Sequence, residues 1–129
     1  RGTWYAHASV GCLHVRPILN MKDEAGVKAM RSIAEEACAL VRQFKGSFSG
    51  EHGDGISRSD FVEPMFGSPL TRAFEQVKDS FDPDNRLNPA KIVRPYHMDD
   101  RSLMRFAPGY ATPIPAQTAL DWSDWGGFG

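Results

Sequence analysis

The chain is poor in thiols: Cys12 and Cys38 are its two cysteines in 129 residues, and they form no CxxC pair. Two distant cysteines do not make a disulfide scaffold, and they are too few to hold an iron–sulfur cluster within this chain. A reducing, cytoplasmic compartment is the expectation that follows. No apolar run approaches the roughly 20 residues of a membrane span. No secretory leader pattern opens the chain, which begins at Arg1 rather than Met, so a piece of a longer protein is expected. Charge of one sign is also missing: 15 Lys and Arg stand against 16 Asp and Glu, a net charge of −1. That balance offers no footprint for nucleic acid, and no basic run suggests an anionic membrane surface. The HExxH signature of many zinc hydrolases is absent, and no internal repeat is visible.

What is present reads as one folded unit. Hydrophobic residues make up 41% and charged residues 24%, the balance of a soluble globular protein. "TWYAHASVGCLHVRPILNMK" carries two short runs of aromatic and branched residues around Gly11, which predicts two strands joined by a turn, with Pro17 at an edge or irregular end. "DEAGVKAMRSIAEEACALVRQFKG" places Val27, Met30, Ile33, Ala34, Ala37, Leu40, Val41 and Phe44 at three- and four-residue steps. This periodicity predicts an amphipathic helix with Asp23 as N-cap and Gly46 at the C-terminal stop. "SRSDFVEPMFG" predicts a short helix or turn that buries Phe61, Met65 or Phe66. In "SPLTRAFEQVKDSF", Ser68 as cap, Pro69 at the first helical position and a Leu70, Phe74, Val77, Phe81 stripe predict a second helix, stopped by "DPDNRLNP". From Tyr96 onward proline, glycine and aromatics occur without period, as in an extended strap leaving the domain. Two strands alone make a poor sheet, so further strands are expected upstream of Arg1.

The chemistry-bearing residues are few. "GSFSGEHGDGISR" sets Glu51 and His52 side by side between glycines, whose backbone freedom lets another molecule approach closely. His7 and His14 lie on either side of the Gly11 turn. On one straight strand their odd separation would point them to opposite faces, but across a turn they can converge. With Glu51 they would form a His₂Glu set with open positions, the pattern of a catalytic metal site, beside which His52 is a candidate proton acceptor. By spacing alone, ordinary strand histidines and a solvated Glu-His loop are the commoner reading.

Three longer strings add specificity. "HASVGCLHVRP", "GSFSGEHGDGISR" and "FDPDNRLNPAKIV", in this order, resemble the C-terminal domain of FAD-linked oxidases, the family of D-lactate dehydrogenases, the glycolate oxidase flavin subunit and D-2-hydroxyglutarate dehydrogenases. The resemblance runs from about Trp4 to Pro95. The family's usual H-x-G-D-G-N-x-H is matched by His7 and His14, whereas Ser9-Val10-Gly11-Cys12 departs from it. The wording is most similar to a long branch in which the flavin enzyme is fused to a C-terminal iron–sulfur region. "TALDWSDWGGFG" resembles the approach to that region, which places its cysteines beyond Gly129.

The resemblance implies an α+β fold: part of an antiparallel sheet with helices packed on one face, the cap domain of a vanillyl-alcohol-oxidase-like flavoprotein. Residues 1–95 would be the metal and substrate domain, incomplete at its N-terminus, and 96–129 a linker. It implies His7, His14 and Glu51 as ligands of zinc, manganese or iron, and His52 as the general base that takes the substrate hydroxyl proton. Hydride would pass to FAD, held mainly by an upstream domain, so the chain alone should be inactive. Asn88 would touch the flavin, although a turn-forming Asn before Pro89 is the simpler reading. Arg16 departs from the family's frequent asparagine. Two residues past His14, it shares that histidine's face, and it either grips a substrate carboxylate or forms a surface ion pair. Cys12 and Cys38 are expected to be small buried residues, Asp54 either orients His52 or begins a turn, and His97 has no assigned role. The expected substrate is a D-2-hydroxy acid such as 2-hydroxyglutarate or lactate. Electrons would leave through the iron–sulfur region to an acceptor that would bring the protein to the membrane periphery. The alternative is a catalytically inactive metal-binding or structural assembly module. A zinc hydrolase would require cleavage without flavin.

Overall fold

A computed structural model describes residues 2–111 and 119–125, so parts of the 118–129 tail lie outside the described residues. The order of elements is α+β. β1 (Gly2–His7) and β2 (Cys12–Pro17) form an antiparallel hairpin, followed by α1 (Glu24–Gln43), the short α2 (Gly55–Arg58) and α3 (Val62–Phe66), and α4 (Ser68–Phe81). No helix among the described residues is long and apolar enough to cross a membrane.

Each helix end has a local cause. Asp23 caps α1 through its carboxylate, which accepts the Gly26 N–H at 2.6 Å. Capping of this kind contributes about 1 kcal/mol. Gly26 is required for a second reason: a Cβ there would sit 1.8 Å from the Asn20 carbonyl oxygen, so only glycine lets the entering loop cross so closely. At the other end the stop differs from the sequence expectation by one residue. Lys45, not Gly46, takes the left-handed conformation (φ 56°). Gly46 N–H then bonds to Val41 O at 2.8 Å and Lys45 N–H to Arg42 O at 3.1 Å, the paired bonds of a Schellman ending. At α4 the cap position falls on Gly67, and the Ser68 hydroxyl donates instead to Glu63.

The core is small. Its buried apolar residues are Val27 and Cys38 of α1, Phe61 just before α3, Val62 at its start, and Val93 in the segment after α4. Cys38 is buried as expected, and burial pushes its thiol above the ordinary range. Cys12 is only half-buried. The expected helical stripes are covered only in part. Phe44 remains 78% exposed and Phe81 83%, and Phe66 is exposed where burial of Phe61, Met65 or Phe66 was the alternative. One face of the hairpin is also open, with Trp4 72% and Leu13 70% exposed.

Two carboxylates organise the chain beyond the helices. Asp82 is buried and accepts the Arg86 and Leu87 N–H groups, both at 2.8 Å, while Lys78 pairs with it. This fixes the turn that carries Asn88. Residues 88–94 then alternate through left-handed backbone at Asn88, Ala90, Ile92 and Arg94. For a β-branched residue such as Ile92 (φ 66°) that conformation is costly. Three contacts hold it: Ser59 Oγ accepts the Ile92 N–H at 2.8 Å, Val93 is buried, and Arg94 forks onto Asp79.

Asp60 is the second organiser. It pairs with Arg31 of α1, accepts the Met98 N–H at 3.3 Å and lies 3.3 Å from His97 Nδ1. Arg101 reaches the Lys22 carbonyl at 3.2 Å, so residues 97–101 are tied back to the start of α1. Burial raises the Asp60 carboxyl, but Arg31, the Met98 N–H and His97 outweigh it and hold it below the ordinary 3.8. A folded value under the unfolded one stabilises the fold fully above pH 3.8, and that stabilisation is lost as pH falls through the lower folded value. A carbon-13 titration of Asp60 should give a midpoint below 3.8 that moves upward in Arg31→Ala. An unmoved midpoint would dismiss Arg31 as the cause.

Candidate metal centre

The hairpin register decides where the histidines go. Tyr5 pairs with His14, His7 with Cys12 and Thr3 with Arg16, across a connection of one 3₁₀ turn (Ala8–Val10) and a left-handed Gly11. Odd-numbered residues of β1 therefore share a face with even-numbered residues of β2. His7 and His14 become diagonal neighbours on that face, with Tyr5, Cys12 and Arg16 beside them. Their rings meet edge to face, with centroids 4.8 Å apart.

The loop after α1 brings the third group. Gly50 lies against the hairpin with φ 57°, and a Cβ there would stand 3.1 Å from Cys12 Sγ. This approach delivers Glu51 to the histidine face. Glu51 Oε1 lies 3.2 Å from His7 Nε2, 3.3 Å from His14 Nε2 and 3.5 Å from His52 Nε2. One ligand atom from each of His7, His14 and Glu51 falls within a single 4.8 Å cluster. His52 stands outside that set, its ring 5.5 Å from the His14 ring and edge-on to it.

The polar groups of this cluster are not balanced by one another. The His14 side chain is only 10% exposed, and its Nε2 is buried without a hydrogen-bond partner despite the nearby carboxylate. A buried imidazole nitrogen of this kind calls for an unseen partner. A divalent cation would supply one: two imidazoles and a carboxylate form a mixed N/O donor set suited to zinc, manganese or iron. The residues present fit such an ion.

Arg16 is joined to the cluster through Tyr5. Its guanidinium lies over the Tyr5 ring, 4.8 Å from the centroid, and donates to the Tyr5 hydroxyl. Asn88 is separate: it is exposed at φ 51° on the turn after α4, and no hydrogen bond or ion pair links it to the histidines among the described residues. Asp54 begins α2, its carbonyl accepting the Arg58 N–H at 2.9 Å, which is the turn alternative. A second acidic group, Asp60, His97 and Asp99, is close enough to share an ion. There, however, the Arg31 guanidinium already stands among the carboxylates, and the group reads as structural. Tyr5 escaped the sequence reading. Period-two alternation from His7 would have placed it on the histidine face.

Comparison with known proteins agrees in kind. The chain is similar to a D-2-hydroxyglutarate dehydrogenase of Pantoea ananatis, 36% identical over 121 residues, 92% of this chain and 12% of that protein. It is similar to one of Escherichia coli, 40% identical over 95 residues, 74% of this chain and 9% of that protein. It is also similar to a D-lactate dehydrogenase of Anaerostipes hadrus, 35% identical over 89 residues, 68% of this chain and 19% of that protein. The chain thus spans between 9% and 19% of the length of these relatives. No solved structure matches it. The family model described as "FAD linked oxidases, C-terminal domain" matches residues 1–92. The chain belongs to the C-terminal domain family of the FAD-linked oxidases.

Proposed function

We propose that this chain is the metal- and substrate-binding part of a longer FAD-dependent enzyme that oxidises a D-2-hydroxy acid to the 2-oxo acid. 2-Hydroxyglutarate and lactate are the leading substrates, since the relatives are named for them. The observation that carries the proposal is the convergence of His7, His14 and Glu51, with the buried His14 Nε2 lacking a hydrogen-bond partner. Residues 1–95 form the metal and substrate domain and 96–129 lead towards an iron–sulfur region that passes electrons to an acceptor.

The roles follow from position. His52 lies beside the ligand cluster but outside it, where an imidazole can take the substrate hydroxyl proton. Arg16 shares the histidine face and, with a planar fork of donors, holds the substrate carboxylate. When bound, the metal polarises the substrate hydroxyl and FAD accepts the hydride that leaves the alpha carbon. Asn88, presented on a turn that Asp82 fixes, contacts the flavin.

The test is a flavin spectrum of the complete protein during addition of D-2-hydroxyglutarate, D-lactate and their L-isomers. Bleaching by a D-acid that is abolished by chelation and restored by a divalent metal is expected. Bleaching indifferent to chelation would reject the metal role. Arg16→Ala should raise KM for the preferred acid about tenfold, the effect of one lost charged hydrogen bond, with little change in kcat. An unchanged KM removes Arg16 from the site.

A further inference from the structure

Tyr5 stands at the junction of the two halves of the site. Its ring lies parallel to the His14 imidazole, with centroids 4.3 Å apart and planes 9° from parallel. Its hydroxyl accepts from Arg16 Nη2, and the Arg16 guanidinium leans over its ring. The register puts Tyr5 directly opposite His14 on β2, so the stack follows from the backbone pairing. Among the described residues no other ring lies parallel to His14: its contacts with His7 and His52 are both edge-on.

We propose that Tyr5 is a positioning residue that sets the metal ligand and the substrate-carboxylate grip in one geometry. This rests on the metal reading of His7, His14 and Glu51. A flat aromatic partner limits how His14 can rotate about its own side-chain axis and holds Nε2 towards Glu51. A phenol oxygen acting as acceptor restrains an arginine that would otherwise sample many rotamers, so less freedom is lost when a carboxylate binds. Through one side chain, the direction of the metal ligand and the place of the substrate carboxylate become linked. Phenylalanine retains the stack and loses only the acceptor, whereas leucine loses both, so the two functions can be separated by substitution.

The experiment uses the complete flavoprotein with wild type, Tyr5→Phe, Tyr5→Leu and His14→Ala, read by metal titration at equilibrium and by steady-state kinetics with the preferred D-acid. Tyr5→Phe should keep metal affinity and kcat within about twofold while KM rises about tenfold, as for one lost hydrogen bond to a charged group. Tyr5→Leu should show the same rise in KM and, in addition, bind metal about tenfold more weakly, the lower end of what outer-sphere partners of metal ligands contribute. Tyr5→Leu with wild-type metal affinity, alongside a His14→Ala protein that has lost its metal, overturns the metal-positioning role. Wild-type KM in Tyr5→Phe overturns the grip on Arg16. If His14→Ala itself retains metal, the metal reading fails and the Tyr5–His14 role falls with it.

Discussion

His52→Ala should lower kcat for the D-2-hydroxy acid by about 10²–10⁴-fold while metal and flavin contents stay at wild-type levels. Both halves follow from geometry. His52 Nε2 lies 3.5 Å from Glu51 Oε1, at the edge of the site, but its atoms are not among the three that converge closely enough to share an ion. Its removal would therefore take away the proposed proton acceptor and leave the donor set. Equilibrium metal titration and single-turnover flavin reduction separate the two. If flavin reduction in His52→Ala keeps the wild-type rate, the proton is taken elsewhere and the assignment is wrong.

Glu51→Gln should weaken metal binding by about 100-fold or more, and chelator-treated protein should not recover activity at metal concentrations that restore wild type. Outer-sphere partners alone change metal affinity 10–100-fold, so loss of an anionic ligand lies at or beyond that range. The amide keeps the shape and much of the hydrogen bonding of the carboxylate, so the charge is what the substitution tests. Glu51 is 44% exposed at its side chain, and the fold does not depend on burying it. A Glu51→Gln protein that holds its metal as tightly as wild type would falsify the ligand assignment. His52→Ala and Glu51→Gln should thus produce opposite signatures: metal kept and proton transfer lost in one, metal lost in the other.

The expected losses are large because the cluster has few supports. The hairpin shows one open apolar face, and it meets the helical part through the loop that carries Gly50. Large exposed residues such as Trp4, Leu13, Phe44 and Phe81 would be unusual on the free surface of a finished domain and suit covered faces of a longer protein. That matches a chain spanning at most 19% of the relatives described above.

Local chemistry determined much of what was legible in the sequence. Asp23 caps α1 because a carboxylate can reach the N–H three residues on. The hairpin follows from two aromatic and branched runs around a left-handed Gly11. Elements of this kind depend on neighbours a few residues away, and such neighbours are written in order along the chain. The three ordered strings pointed to the family because motif order is itself a sequence property.

What the sequence could not determine was set by contacts between distant segments. The left-handed residue at the end of α1 is Lys45, where glycine was expected one position later, because the paired bonds to Val41 and Arg42 fix the ending. The helical stripes of α1 and α4 revealed their period but not how little of each this part of the chain covers. His97, silent as a motif, is placed by Asp60, 37 residues away. The cluster of His7, His14 and Glu51 is the clearest case. Spacing left His7 and His14 free to face apart or together, and only the hairpin register, with Gly50 pressed against Cys12, decides that two imidazoles and Glu51 converge. Convergence of groups from separate segments depends on three-dimensional pairing, which no linear spacing encodes.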